Sequence, residues 1–557
     1  MVSRLLVLSS AIAATLMLAG EARAQGGPGP NQLLPLPPVP VPAGNPQSAA
    51  KVALGQALFW DEQLSKTGTM ACGTCHAPAA GGSDPRLPAS VAQSRHPGPD
   101  GVLGTGDDVT GALGVPLHDA TGRYLGSTVF GVAPQVGSRQ SISSVNAAYA
   151  TTLFWDGRAP GVFTDPATGQ VLLTAGGALE NQALGPLVNS SEMAHQGGTL
   201  ADMQARIAAA RPLRLASNLP ATLASWIGGR GYPELFAEAF GSGEVSAARI
   251  AMAMAAYQRT LVSDQTPHDR DLRGDTTAMT AAERQGRQVF LSAGCQRCHG
   301  AALLSDNNFQ YIGVRPQAAD PGRFAVTGNN ADRGRMRTPM LRNIELSAPY
   351  MADGRFATLE EVVDFYNRGG DFAAPNLAPQ MAPLGLSAGQ RAQLVTFLRR
   401  PLTDPRLLDG SGPFARPTLY TESGAVPVAV GSAIGGSAGQ PRLIAIEPPL
   451  AGEPGFTVAV DRAAPQAAAR ILLTLAESTS PDDSAVLRVD ASLGANGLLS
   501  QDLTLPADPA LSGRDVYLRV WIADPSAAGG WSATGSVRFR LLGVPADAVF
   551  ADAFEPR

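Results

Sequence analysis

The sequence predicts a mainly α chain: two helical domains in tandem, followed by a C-terminal β-sandwich-like domain. Three observations predict it. The pattern Cys-x-x-Cys-His occurs twice, at Cys72–His76 and Cys295–His299, each time after a stretch with apolar residues at helical spacing. More segments of helical period, several opened by Ser or Thr caps, fill the chain up to about residue 405. Beyond about residue 415 there is no Cys and no His, and short apolar and β-branched runs alternate with turns at period two.

Each motif has the spacing that attaches c-type haem. Two thiols three positions apart can each form a thioether to one porphyrin vinyl group, and the adjoining His supplies an imidazole nitrogen to the iron. A lone motif of this kind also reads as a redox dithiol or as half a zinc site. Two of them use all four Cys of the chain, which leaves none for a disulfide framework. The helical domains are therefore expected to be cytochrome c-like haem domains, over 48–265 and 266–414. Cys72, Cys75 and His76 would hold one covalently bound haem c, and Cys295, Cys298 and His299 the other. A β-rich accessory domain would span 415–557.

The net charge is −5 and no basic block occurs, which argues against nucleic acid and anionic membranes as partners. A charged fraction of 16%, with 62 Gly and 45 Pro, suits a loop-rich exported protein. Residues 1–24 read as a signal peptide, with Arg4 in the n-region, an apolar core from Leu5 to Leu18 and Ala22-Arg23-Ala24 as a small-x-small cleavage site. That apolar run is short for a membrane span and no stop-transfer charges follow. A periplasmic or secreted protein is expected, not an integral membrane one.

In chain order, residues 25–47 are Pro/Gly-rich and read as an extended arm. A helix from about Ser48 to Phe59, with Leu54, Ala57 and Leu58 on its apolar face, leads to the first motif. Residues 77–138, dominated by Gly, Pro and Asp, read as a long surface loop in which His96 and His118 are solvated. Helical patterns follow at about 199–211, 233–240 and 246–262, the last capped by Ser246. Thr280-Ala281-Ala282-Glu283 is a capping box for the helix that delivers the second motif. Two more helices run from Leu359 to about Tyr366, behind Thr358 as cap, and from Ser387 to about Arg399. Strands are expected near 443–446, 456–460, 471–475, 485–489, 516–522 and 536–541, with 431–439 as a linker or long turn.

Beyond the two motifs, several ordered features resemble the bacterial di-haem cytochrome c peroxidase / MauG family over roughly 48–405. They are Leu58-Phe59 with Leu64-Ser65, Phe154-Trp155-Asp156-Gly157-Arg158, Gln182 with Pro186, and Glu192-Met193. Further on come Thr338-Pro339-Met340-Leu341-Arg342-Asn343 and Ala348-Pro349-Tyr350-Met351 with Asp353-Gly354. The resemblance implies that the haem at His76 meets H2O2, while the haem at His299 is a six-coordinate electron relay. It implies that Trp155 lies between the haems, that Glu192 is the distal acid/base and that Gln182 and Pro186 share its pocket. A carboxylate over the iron can take a proton from the near oxygen of peroxide and return it to the leaving one. Read alone, Glu192 is an ordinary capping or surface acid and Trp155 a core residue.

For the sixth ligand of the relay haem, family peroxidases use Met and MauG-like members use Tyr. The matching position falls on Tyr366, with Met351 and Met381 as rivals; a phenolate stabilises ferric iron, whereas a thioether raises the potential. The resemblance further implies one Ca²⁺ between the domains, held largely by carbonyls, and Gln140, Ser347 and Pro349 occupy the matching places. Ala352 stands where the family often has His. His195 reads equally as a distal-pocket or a surface residue, and His268 as structural. The implied function is an exported di-haem c-type peroxidase or oxidase that draws electrons from a small redox protein, a cytochrome c or a cupredoxin. The alternatives are a MauG-like enzyme that oxidatively modifies Trp or Tyr of a partner protein, and a non-catalytic di-haem electron carrier.

Overall fold

Two helical units repeat one plan. In the first, the helix Ala49–Phe59 crosses the helix Ala247–Gln258; in the second, Ala281–Ser292 crosses Ala388–Leu398. Both crossings are close because a glycine stands at the contact. A Cβ added to Gly55 would lie 1.9 Å from the Ala253 carbonyl oxygen, and one added to Gly286 2.1 Å from that of Gln393. The computed structural model describes residues 33–87, 94–511 and 513–543, so the expected signal peptide lies outside the described residues.

The repeat extends past the Cys-x-x-Cys-His motifs. Asn146 and Asn343 adopt left-handed backbone conformations (φ 61° and 62°), which Asn tolerates better than other side chains. Each opens a short 3₁₀ turn. The Asn146 side-chain oxygen accepts from the Ser263 amide and that of Asn343 from the Asp404 amide, each at 2.9 Å. Each unit thereby ties the segment after its last long helix to the loop that follows its motif.

The caps expected at Ser246, Thr280 and Thr358 form, and the expected helix starts Ser48 and Ser387 prove to be caps as well; each accepts from a backbone amide. Helices Leu200–Ala209 and Tyr232–Phe240 also match. Ala178–Leu184, Ala221–Ile227 and Pro267–Leu272 were not foreseen, since two turns or fewer leave no periodic signal.

The segment 77–138 is not the surface loop its composition suggests. It pairs Arg95–His96 with Val109–Thr110 and Leu113–Pro116 with Pro134–Val136, and it buries Val115, Tyr124 and Val132. Single apolar residues spaced by Gly and Pro can fill a core without producing a period. His118 is only 1% exposed and His195 is also buried, which corrects the solvated reading of the first and the surface reading of the second. The arm is docked where it is described: Pro37 O accepts from the Tyr149 hydroxyl at 2.8 Å, and Asn45 Nδ2 donates to Glu180 Oε1 at 2.9 Å.

After residue 427 the chain forms two antiparallel sheets. One has three strands in the order Arg442–Ile444, Phe456–Asp461, Leu499–Leu503. The other runs Leu487–Ser492, Ala468–Thr474, Asp515–Ala523, Ser536–Arg540, Val428–Val430, with Trp531–Ala533 also paired to Asp515–Ala523. Val458 and Val460 of the first sheet share a core with Ile471, Val520 and Phe539 of the second, the arrangement of a sandwich. Buried carboxyls join it to the first helical unit. Glu62 accepts from the amides of Tyr420 and Thr421, and Glu447 Oε1 accepts from the Tyr124 hydroxyl at 2.5 Å. Among the described residues no helix is long and apolar enough to cross a membrane.

Candidate functional site

Each motif follows the first long helix of its unit, the second directly and the first after the 3₁₀ turn Glu62–Leu64, with all four thiols free. Burial pushes the Cys72 thiol up to about 12 and that of Cys295 to about 11, so both stay protonated. His76 Nδ1 lies 3.1 Å from the Gly82 carbonyl oxygen and His299 Nδ1 3.0 Å from that of Leu304. A neutral imidazole donating from Nδ1 presents the Nε2 lone pair, and burial lowers both histidine pKa values toward that neutral form. This is the donor set a covalently attached haem needs. Among the described residues no group of three or more His, Cys, Asp or Glu is placed to hold a metal ion.

A cavity of about 480 Å³ opens beside the second motif. Cys295, Cys298 and His299 lie on its wall, and Tyr366, Met351 and Met381 also line it. Its size suits a flat apolar cofactor, and the wall is largely hydrophobic. Tyr366 reaches it from the helix Leu359–Arg368. Burial raises the phenol's pKa, and the thiols of Cys298 and Cys295 raise it further because they face the same space. Gln140, Ser347 and Pro349 line the cavity too. The Gln140 carbonyl is already engaged by Trp155, and its side-chain Nε2 is buried without a partner.

Trp155 connects the surroundings of the two motifs. Its indole Nε1 donates to Gln140 O at 2.9 Å, and its carbonyl accepts from the Arg337 amide at 2.7 Å. Gln140 is two residues before Ile142, whose backbone lies beside His76; Arg337 is two residues before Pro339, whose backbone lies beside His299. Arg139 reinforces the junction by bonding Asp156 and Asp320, each at 2.7 Å.

Gln182, Pro186 and Glu192 follow one another on a single segment: a short helix, a 3₁₀ turn opened by the proline, and a tight turn. Asn189 builds that tight turn. Its carbonyl accepts from the amides of Glu192, Met193 and Ala194, and its side-chain Nδ2 donates to Glu192 Oε1 at 2.7 Å. Strand Leu113–Pro116 presses against the turn at Gly114, where an added Cβ would lie 1.6 Å from Ser191 O. Burial raises the Glu192 pKa, and Arg158 and the Asn189 amide pull it back. Glu192 in turn helps to raise the pKa of both Cys72 and Cys75, so its carboxyl lies within electrostatic reach of the first motif. Arg158 stacks on Phe154 at 3.6 Å from the ring centroid.

Arg158 closes the Phe154–Arg158 motif of the sequence but without a role there, while Asn189 and Gly114 are not among the candidate site residues. Asn189 had a signal, an Asn three residues before an acid; Gly114 had none, because its partner is 77 residues away in the chain. His96 is half-buried with Nδ1 accepting from Gly98 N at 3.2 Å, and His268 is buried edge-on to Phe397.

Two Cys-x-x-Cys-His sites in repeated helical units, joined through one tryptophan, define a c-type electron-transfer protein with two haem sites. A family model described as di-haem cytochrome c peroxidase matches residues 49–277. The chain is 32% identical to the methylamine utilization protein MauG of Methylorubrum extorquens, over 66% of this chain and 82% of that one. It is 30% identical to the cytochrome-c peroxidase IdrP1 of Pseudomonas sp. (strain SCT), over 76% of this chain and 97% of that one. A solved MauG-like protein associated with microbial copper homeostasis is 28% identical over 68% of this chain and 96% of its own, with a TM-score of 0.48. The chain belongs to the di-haem cytochrome c peroxidase family, whose members are peroxide-using oxidoreductases with two c-type haems.

Proposed function

We propose that this chain is an exported di-haem peroxidase in which the site at His76 meets H2O2 and the site at His299 passes electrons to it from a small redox protein. Domains 48–265, 266–414 and 415–557 then serve as the peroxide domain, the relay domain and an accessory module. The observation that carries the reading is the pairing of a half-buried carboxyl, held by Asn189 within electrostatic reach of the first motif, with a phenol on the wall of the cavity at the second. A bound haem supplies redox chemistry at iron.

The rest falls to side chains. Glu192, held by Asn189 and tuned by Arg158, takes a proton from the near oxygen of H2O2 and returns it to the leaving oxygen. Two electrons from the donor and two protons from solvent complete the conversion of H2O2 to two waters. Gln182 and Pro186, on the same segment, shape the pocket and limit water. Trp155, bonded to the backbone near both histidines, carries charge between the sites.

A second reading has its own support. Tyr366 lines the second cavity together with both thiols of that motif, which supports Tyr366 as a ligand there and a MauG-like enzyme that oxidises Trp or Tyr on a partner protein. Holoprotein mixed with H2O2 and a reduced small cytochrome c or cupredoxin separates the two. Rapid donor oxidation supports the peroxidase. A long-lived oxidised spectrum with no donor oxidation supports the modifying enzyme. Two six-coordinate irons that ignore peroxide after reduction would leave only an electron carrier.

A further inference from the structure

Between the strands Leu113–Pro116 and Pro134–Val136 the chain makes an excursion over 117–133, and that excursion is gripped by the accessory domain. Its near end is held at Tyr124, whose amide donates to Ser500 Oγ at 2.7 Å and whose hydroxyl donates to Glu447 Oε1 at 2.5 Å. Its far end is held at Phe130–Val132. Asp461 Oδ2 accepts from the Val132 amide at 3.1 Å, and Arg442, paired with Asp461, donates to Phe130 O at 2.8 Å. Tyr124 and Val132 also share a small apolar cluster with Ala459.

The other face of the same excursion carries the turn of Glu192. Gln196 N donates to His118 O at 2.8 Å, and Gln135 Nε2 donates to Ser190 O at 2.8 Å. Gly114, in the strand that leads into the excursion, meets Ser191 without room for a methyl group. A contiguous set of contacts thus runs from the sandwich, through 117–136, to residues 189–196.

We infer that the accessory domain is a clamp for the peroxide-facing turn, and that Tyr124 and Asp461 are positioning residues which keep Glu192 in place without touching the reacting atoms. The inference rests on the reading of Glu192 given above only for its catalytic consequence; the mechanical coupling stands apart from it. Without the sandwich this excursion would have one covered face, and a sequence with Gly122, Gly126 and Gly131 does not hold its own shape. Seating it on a sandwich supplies the second face.

The test is amide hydrogen exchange on the full-length holoprotein, comparing Asp461→Asn and Tyr124→Phe with the parent. Local opening is the quantity exchange reads. Asp461→Asn is expected to speed exchange by about tenfold in both 117–132 and 189–196, leaving 281–299 unchanged. Tyr124→Phe, the milder change, is expected to move the same two segments together by less and serves where the first variant folds poorly. Loosening of 117–132 with normal exchange at 189–196 would overturn the inference, as would no loosening at all. The pH profile of the peroxide reaction gives the catalytic arm: it shifts in Asp461→Asn when Glu192 is displaced. Coupled exchange together with normal peroxide kinetics in Glu192→Gln would sink the reading of Glu192 and leave the clamp standing.

Discussion

Trp155 is bonded through both of its polar backbone-facing groups to loops that flank different histidines, to Gln140 O through the indole N–H and from the Arg337 amide through its carbonyl. One bond orients the indole and the other anchors its backbone to the loop before His299's neighbour Pro339, so Trp155 is tied to both loops. Trp155→Phe retains an aromatic ring but loses the Gln140 bond and the more easily oxidised indole. Both haems are expected to remain attached, by mass and by pyridine haemochrome, while electron exchange between them slows by at least an order of magnitude in rapid mixing. Unchanged exchange would remove Trp155 from the path.

Glu192→Gln keeps the Asn189 contact but cannot accept a proton. The reaction with H2O2 is expected to slow by roughly 10²- to 10⁴-fold, the usual weight of a general acid–base group. In the parent the rate should rise with pH through a carboxyl pKa held above its ordinary value by burial. Arg158 pulls that pKa down, so Arg158→Ala should move the inflection to higher pH. Stopped-flow rates from pH 4 to 9 check both signs.

Tyr366→Phe and Tyr366→Met separate the ligand candidates at the second site. If the phenol binds iron, both variants change the spectrum of that haem while both haems stay attached, and the Met variant raises its potential. A spectrum that responds only to Met351→Ala or Met381→Ala moves the ligand to that thioether instead.

The sequence marked the motifs, the capped helices and six strands of the C-terminal sandwich, because each of those has a local signal: fixed spacing, a Ser or Thr ahead of an apolar period, or alternation. Ser246, Thr280 and Thr358 all cap helices as expected. What stayed hidden is long-range. Nothing local says that Gly114 must meet Ser191, that Tyr124 reaches Glu447, or that His118 is buried. The loop-like composition of 77–138 concealed Val115, Tyr124 and Val132, which neighbouring segments bury. Short helices such as Ala178–Leu184, which carries Gln182, fell below the length at which a period can be read.

Glu447 makes the seating of the accessory domain sensitive to pH. Its carboxyl is buried and accepts from the Tyr124 hydroxyl, and burial raises its pKa to about 8. Unfolded or undocked, it would titrate near 4.5, the ordinary value. The docked state therefore binds the extra proton between those two values, and stability falls as pH rises through the window. The contribution is fully present below about pH 4.5 and is lost as pH passes 8, at a slope of up to about 1.4 kcal/mol per pH unit. Glu447→Gln keeps an acceptor for the Tyr124 hydroxyl and carries no charge at any pH. Thermal unfolding of the parent is expected to drop in Tm between pH 5 and 8, and that of Glu447→Gln to drop less, with the two curves diverging on the alkaline side. Parallel curves would mean that the carboxyl is ionised where it sits, with the Tyr124 hydroxyl and the Ile446 amide sufficient to stabilise the anion.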